Sequence, residues 1–84
     1  MEEKKVNNLD KYNKIFIETF LINNEALNSE LVYNSIPTWD SIGHMSMIAQ
    51  LEESFDIMMD TEDIIDFSSY NKGKEILKKY NIEI

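Results

Sequence analysis

Apolar residues return at three- and four-residue steps through most of this chain, and this spacing limits the fold more than any other feature of the sequence. The first such series follows Asn8, a candidate helix cap, and consists of Leu9, Tyr12, Phe16 and Phe20. The strict alternation of a half-buried strand does not persist anywhere, and glycine occurs only twice. The sequence therefore predicts an all-α fold.

Three later segments carry their own helix signals. Asp40 can cap a second helix over about 41–56, and Pro37 just before it discourages an earlier start. A short third helix is predicted over about 60–66. A final helix over about 70–80 carries lysines near its C-terminal end, where the helix dipole favours them.

The connection between the first two helices is a long loop. Residues 23–38 collect asparagine, serine and the only proline, and no helical spacing continues through them. Four apolar residues are predicted to pin this loop to the core: Leu27, Leu31, Tyr33 and Ile36. Because 84 residues leave room for one hydrophobic core, we predict a single domain over residues 1–84 with its core at about 9–80. Its architecture is a four-helix bundle with three longer helices, one short third helix and a long first loop.

The spacing of the apolar residues also predicts which side of each helix faces the core. In the second helix this face is predicted to contain Ile42, Met45, Ile48, Leu51 and Phe55. In the third segment it contains Ile64, Ile65 and Phe67. Met47 falls outside the face of the second helix, so it is predicted to be exposed and available to a partner.

Charge is distributed unevenly along the chain. The 16 acidic residues outnumber the 8 lysines and give a formal net charge of −8. Eleven of the carboxylates lie between Ile15 and Asn71, a stretch without a single lysine. This composition disfavours binding to nucleic acid, and the negative field would attract basic partner surfaces. Solubility alone is an equally simple explanation of the acidity.

The composition also limits location and metal chemistry. No apolar run approaches the roughly 18 residues that span a bilayer, and the start MEEKKVNN lacks the apolar stretch of a secretory signal. We therefore predict a cytoplasmic monomer without a membrane span.

The chain has no cysteine and a single histidine, His44, which argues against a thiolate or multi-histidine metal site. The acids between Asp56 and Asp66 lack the spacing of a calcium-binding EF-hand.

The residues that most clearly suggest a chemical function lie at the start of the second helix. Ser41 would occupy the first helical position, close to unpaired backbone amides and the positive end of the helix dipole. A phosphate group is well tolerated at such a place. By itself, the Asp40-Ser41 pair also fits a plain helix start, with a small polar residue beside an aspartate cap.

The segment from Trp39 to Ile57, WDSIGHMSMIAQLEESFDI, resembles the acyl carrier protein family, including peptidyl and related carrier domains. Members of this family open their second helix with an Asp-Ser-Leu or similar triplet and close it with Glu-Glu-x-Phe. Here these motifs are Asp40-Ser41-Ile42 and Glu52-Glu53-Ser54-Phe55. The likeness extends over about residues 9–80 and implies an acyl-carrier-like bundle.

By this resemblance, Ser41 is the attachment site of 4′-phosphopantetheine, flanked by Asp40 and Ile42 and modified from coenzyme A by a phosphopantetheinyl transferase. The protein would hold an acyl or aminoacyl group as a thioester. It would present this cargo to a loading ligase and to acyl-transferring enzymes of fatty-acid or specialised-metabolite biosynthesis, and would itself catalyse nothing. The resemblance implies partner contacts on the second and third helices, at Met45, Met47, Glu52, Glu53, Asp56 and Glu62.

Two other functions deserve comparison with the carrier interpretation. Asp40, Ser41 and His44 supply the residue types of a nucleophilic triad. Their spacing on one helix provides neither a strained strand-to-helix turn nor an oxyanion hole, so we do not predict a hydrolase. His44 is instead predicted to be partly exposed beside the attachment site. The remaining alternative is an acidic helical interaction module without a prosthetic group, in which Ser41 is incidental.

Overall fold

A computed structural model describes residues 7–84 of the chain and contains four α-helices in this range. They are α1 (Asn8–Phe20), α2 (Ser41–Phe55), α3 (Thr61–Asp66) and α4 (Tyr70–Lys78). The loop between α1 and α2 holds one 3-10 turn, Asn24–Ala26. Within the described range the only extended pairing is an isolated bridge between Val32 and Ser69, so the predicted all-α class is confirmed there. What the sequence predicts for residues 1–6, including the lack of a secretory signal, lies outside the described residues.

Side-chain caps fix the starts of the two longest helices. Asn7 caps α1, since its side-chain oxygen accepts a hydrogen bond of 2.8 Å from the backbone amide of Asp10. The predicted cap, Asn8, is instead the first helical residue. The predicted cap of α2 is confirmed, because Asp40 Oδ1 accepts a hydrogen bond of 2.8 Å from the Gly43 amide.

An aromatic cluster forms the centre of the core. The ring of Phe16 on α1 is fully buried, and five other rings lie with their centroids 4.9 to 6.3 Å from it: Tyr12, Phe20, Trp39, Phe67 and Tyr70. The predicted inward face of α1 is therefore confirmed, except that Leu9 is exposed. Trp39, which sequence analysis did not assign to the core, is fully buried and joins the loop to α1.

The inward face of α2 differs from the prediction. Its buried side chains are His44, Met47, Ile48 and Leu51. Ile42 and Met45 are 80 % and 51 % exposed, whereas Met47 is fully buried and cannot serve as the predicted exposed partner contact. The physical reason is helix geometry: Ile42 and Leu51 are nine residues apart, or about two and a half turns, and therefore project from opposite sides.

Two other predicted core positions lie nearer the surface. Ile65 on α3 is 76 % exposed, so the prediction that it turns inward is wrong, while Phe67 is buried as predicted. Phe55 is only half-buried, and Lys11 Nζ lies 4.7 Å from the centroid of its ring. Phe55 thus packs at the edge of the core, and a charged side chain lies over its ring.

The long loop is attached to the segment that leads into α4. The Tyr33 amide donates to the Ser68 carbonyl and the Tyr70 amide donates to the Leu31 carbonyl, each at 2.9 Å. Leu31 is buried, as predicted for a residue that pins the loop, and Leu27 and Ile36 are half-buried. Tyr33 is exposed over more than a third of its surface. The loop is therefore held by two backbone hydrogen bonds to the segment around the start of α4.

A buried carboxylate joins α3 to the residues that follow α4. Helix α4 ends at Lys78 rather than at the predicted position 80. Asp63 accepts hydrogen bonds from Lys79 Nζ at 2.6 Å and from the Tyr80 hydroxyl at 2.5 Å. These donors hold the pKa of the Asp63 carboxyl below its usual range, the Lys79 ammonium contributing most. The ionised carboxylate thus stabilises the position of α3.

This arrangement predicts an acid-dependent stability. Since the native pKa of Asp63 is lowered, its contribution is complete above the ordinary value of 3.8 and is lost as the pH falls through the native value. We expect Asp63→Asn to reduce the free energy of unfolding at pH 7, and the difference from wild type to shrink below pH 3.8. Urea unfolding at several pH values measures this, with the exposed Glu62→Gln as the matched control on α3. A difference that stays constant with pH would contradict it.

Candidate functional site

Ser41 is exposed at the first position of α2, as the sequence predicts. The exposed Asp40 beside it holds the helix start in place, since its carboxylate binds the Gly43 amide and its carbonyl accepts from the His44 amide at 2.8 Å. The first amides of a helix have no partner within the helix, and they carry the positive end of its dipole. The Ser41 hydroxyl therefore lies where a negative group attached to it would be stabilised.

Close packing of the loop against α2 fixes the position of Ser41. A Cβ atom at Gly43 would lie 2.0 Å from the Thr38 carbonyl oxygen, so only glycine allows this approach. The Thr38 hydroxyl also donates to the Phe20 carbonyl at the end of α1, at 2.7 Å. The loop, α1 and α2 are thereby joined directly next to Ser41.

A cavity of about 320 Å³ opens beside Ser41, between the start of α2, the loop and α3. Its walls are mostly apolar and consist of Tyr33, Ser41, His44, Met45, Ile64, Ile65, Phe67 and Ser68. Of the predicted site residues, Ser41 and Met45 line this cavity, and the exposed side chain of Ile42 follows Ser41 directly. Ile65 and Tyr33 were assigned to the core and to the loop anchor, so sequence analysis missed their part in the site.

His44 is buried rather than partly exposed, which corrects the prediction made for it. Its Nδ1 lies 2.9 Å from Trp39 Nε1, and its Nε2 lies 2.8 Å from the Ile64 carbonyl oxygen. Both ring nitrogens are therefore engaged away from Ser41, and the two residues do not form a nucleophile and base pair. The helical series 44, 47, 48 and 51 could have identified this inward position.

The acids predicted to contact partners do not share one environment. Glu53 and Glu62 are exposed. Glu52 is half-buried, and its Oε2 accepts a hydrogen bond of 3.0 Å from the Met59 amide. Asp56 is exposed, and its left-handed backbone, with φ of 56°, ends α2. Glu52 therefore holds the connection between α2 and α3.

Comparisons with protein-family models, with curated proteins and with solved structures return no match for this chain. Among residues 7–84, no helix combines the length and the apolar content that crossing a membrane requires. Function is therefore inferred from the geometry around Ser41.

Proposed function

We propose that this chain is a carrier protein of the acyl carrier type, with 4′-phosphopantetheine attached to Ser41. The observation that carries this proposal is the juxtaposition of an exposed serine, at the start of a 15-residue helix, with an apolar cavity. The helix order, with a short third helix and a long first loop, supports an acyl-carrier-like bundle. The proposal includes a cytoplasmic, monomeric protein.

The residues around Ser41 fit such a group. The exposed hydroxyl is accessible to a transferase, and the first turn of α2 favours the negative charge of a phosphodiester. Asp40 is close to this position, but its carboxylate is already bound to the Gly43 amide. The apolar walls of the cavity suit the less polar part of an arm or its cargo.

The chain has no cysteine, and 4′-phosphopantetheine would supply the thiol on which acyl or aminoacyl cargo is held as a thioester. The protein's own residues then anchor and present the group. Asp40 and Gly43 fix the helix start, and Met45 and Ile65 give the cavity its apolar walls. A phosphopantetheinyl transferase, a loading ligase and acyl-transferring enzymes are the partners that this function requires.

The surface near Ser41 offers contacts for these partners. Ile42, Met45 and Ile65 are exposed apolar side chains, and the exposed acids Glu53 and Glu62 lie on the same two helices. Exposed apolar residues among charged ones are typical of protein-binding surfaces. The same surface supports the alternative function, an acidic interaction module without a prosthetic group.

Intact-mass measurement separates the two functions. The purified protein is incubated with coenzyme A and a broad-specificity phosphopantetheinyl transferase, with a known carrier protein in the same reaction as the positive control. We expect this chain to gain the mass of one phosphopantetheine group. If the control carrier is modified and this chain is not, the interaction module becomes the better explanation.

Reversal of the exposed acids should slow recognition by a basic partner. We expect the double variant Glu53→Lys, Glu62→Lys to lower transferase kcat/KM at low salt by on the order of tenfold, because long-range attraction speeds encounter. Glu52 is left unchanged since its carboxylate binds the Met59 amide. The measurement is kcat/KM across a salt series, and added salt should bring wild type towards the variant.

The control for this experiment is a second double variant with the same change in net charge, Glu18→Lys with Glu75→Lys. These exposed acids lie on α1 and α4, outside the proposed partner surface. We expect a smaller effect from this pair. Equal effects of the two double variants would show that net charge, rather than the α2 and α3 surface, controls the rate.

A further inference from the structure

Leu21, which directly follows α1 and ends it, combines two features that both reduce stability. Its backbone lies in the left-handed region, with φ of 58°, where the Cβ atom of an L-residue is crowded by the following carbonyl oxygen. Its side chain is 80 % exposed and gains little from burial. Among residues 7–84, three other residues have positive φ, and all belong to types that tolerate it: Asn34, Asp56 and Asn81. Stability therefore does not explain a leucine at position 21.

The hydrogen bonds that end α1 do not require a leucine side chain either. The backbone amides of Leu21 and Ile22 both donate to the Ile17 carbonyl. Such a helix end is often accompanied by an apolar contact from the residue after the left-handed one. Here that residue is Ile22, which is half-buried against the core. Asparagine at position 21 would keep the same backbone bonds with less strain, so the leucine side chain is available for a contact outside the chain.

Leu21 lies at the same end of the bundle as the start of α2, because α1 and α2 run in opposite directions. At this end, a Cβ atom at Gly43 would lie 3.3 Å from the ring of Phe20, the last residue of α1. At the other end, Lys11 Nζ near the start of α1 lies over the ring of Phe55, the last residue of α2. The residue after Phe20 therefore lies beside the first turn of α2, which carries the candidate site.

An exposed apolar side chain of α2 lies between this end of α1 and the cavity. Successive residues of a helix are about 100° apart, so Ile42 lies about 40° from Ser46 on one side and about 60° from Met45 on the other. Ser46 lines a groove between α1 and α2, and Met45 lines the cavity. The end of α1, the start of α2 and the rim of the cavity therefore each present an exposed apolar side chain: Leu21, Ile42 and Met45.

The charge at this end of the bundle indicates the chemistry of a partner. The exposed acids Glu25 and Asp40 lie between Leu21 and α2 in the chain, and residues 15–71 include no lysine or arginine. Glu18, one turn before Leu21, is offset by Lys14, whose Nζ lies 4.0 Å from its carboxylate. A second copy of this chain would bring another formal charge of −8, and like charges oppose self-association. A protein surface with an apolar pocket among basic groups is the complementary partner.

We propose that Leu21 is a contact for the enzyme that modifies Ser41, which binds it together with Ile42 in an apolar pocket bordered by basic groups. This inference rests on the proposed carrier function, and it adds the end of α1 to the partner contacts on α2 and α3. An enzyme that holds the ends of both helices at once is fixed in one orientation over the Ser41 hydroxyl.

The test replaces Leu21 with asparagine, which suits the left-handed backbone and removes the apolar side chain. We expect kcat/KM of a purified broad-specificity phosphopantetheinyl transferase to fall at least about fivefold, as for a contact that contributes measurably to an interface. The melting temperature should rise by about 4 °C, because strain is relieved. If the melting temperature fell together with kcat/KM, Leu21 would serve the fold and the proposal would be overturned.

Met58→Asn is the matched control. Met58 is as exposed as Leu21 but lies beyond the C-terminal end of α2, and a 15-residue helix is about 22 Å long. We expect kcat/KM of this variant to equal that of wild type. Equal losses in the two variants would overturn the proposal, since loss of any exposed apolar side chain would then suffice.

The same measurements distinguish failure of this contact from failure of the carrier function. If wild type and Leu21→Asn gain phosphopantetheine with equal kcat/KM, only the Leu21 contact is wrong. If a known carrier protein is modified and this wild-type chain is not, the carrier function is wrong and the contact fails with it. Sedimentation equilibrium tests a second copy as the occupant. A wild-type dimer that is lost in Leu21→Asn would overturn the proposal in favour of self-association.

Discussion

Replacement of Ser41 with alanine is expected to abolish attachment of phosphopantetheine while the fold remains intact. The hydroxyl at the first position of α2 is the only atom of this side chain that can form the phosphoester. Alanine is well tolerated in a first helical turn, and the bond from Asp40 to the Gly43 amide remains. The free energy of unfolding should therefore change by less than about 0.5 kcal/mol.

Ser46→Ala is the matched control for this experiment. Ser46 is an exposed serine on the same helix, five positions after Ser41. The Ser46→Ala variant should gain phosphopantetheine at the wild-type rate, as measured by an intact-mass time course with circular dichroism as the folding control. A phosphopantetheine mass increment on Ser41→Ala, or its loss on Ser46→Ala, would contradict the assignment of the site.

The second large effect is expected in the core, where Phe16→Ala should lower the free energy of unfolding by about 3 to 5 kcal/mol. The ring of Phe16 is fully buried and lies among five other aromatic rings. Its removal loses these contacts and leaves a cavity that the surrounding rings cannot fill without rearrangement. Such a loss is a large share of the stability of a small domain.

Phe55→Ala deletes the same side-chain atoms at a half-buried position. From the sequence alone both substitutions carry the same expected cost, but the structure predicts a distinctly smaller loss for Phe55. Urea denaturation of the two variants measures the difference. Equal losses would show that the core is not centred on Phe16.

Local sequence was sufficient to predict the start of α2, the presence of the short α3 and the inward face of α1. The cap at Asp40, the short α3 and the inward residues Tyr12, Phe16 and Phe20 follow from local hydrogen bonding and helical spacing. The cap of α1 differed from the prediction by one residue, because Asn7 and Asn8 are chemically equivalent candidates.

The inward face of α2 could not be assigned reliably from apolar spacing. This helix carries apolar residues on more than one side, since Ile42 and Met45 are exposed while Met47, Ile48 and Leu51 are buried. The choice between the two faces depends on residues outside the helix. Phe67 and Trp39 cover one face, and the indole N–H of Trp39 requires an acceptor that His44 supplies.

The cavity beside Ser41 was also beyond local prediction. Its walls come from the loop, α2 and the segment around α3, so no single stretch of sequence contains it. Ile65 was assigned to the core because it is apolar, yet it lies at the surface beside the cavity. A six-residue helix has too few turns for spacing to distinguish these two positions.

The residues in the first two turns of α2 have two different roles. Ser41, Ile42 and Met45 face solvent, whereas Gly43 and His44 hold the helix to its neighbours. Substitutions at exposed positions usually change stability by less than about 0.5 kcal/mol. Positions 42 and 45 can therefore vary, and with them the surface beside Ser41, without loss of the fold. An engineer who wishes to change that surface would randomise these two positions and keep 43 and 44 fixed.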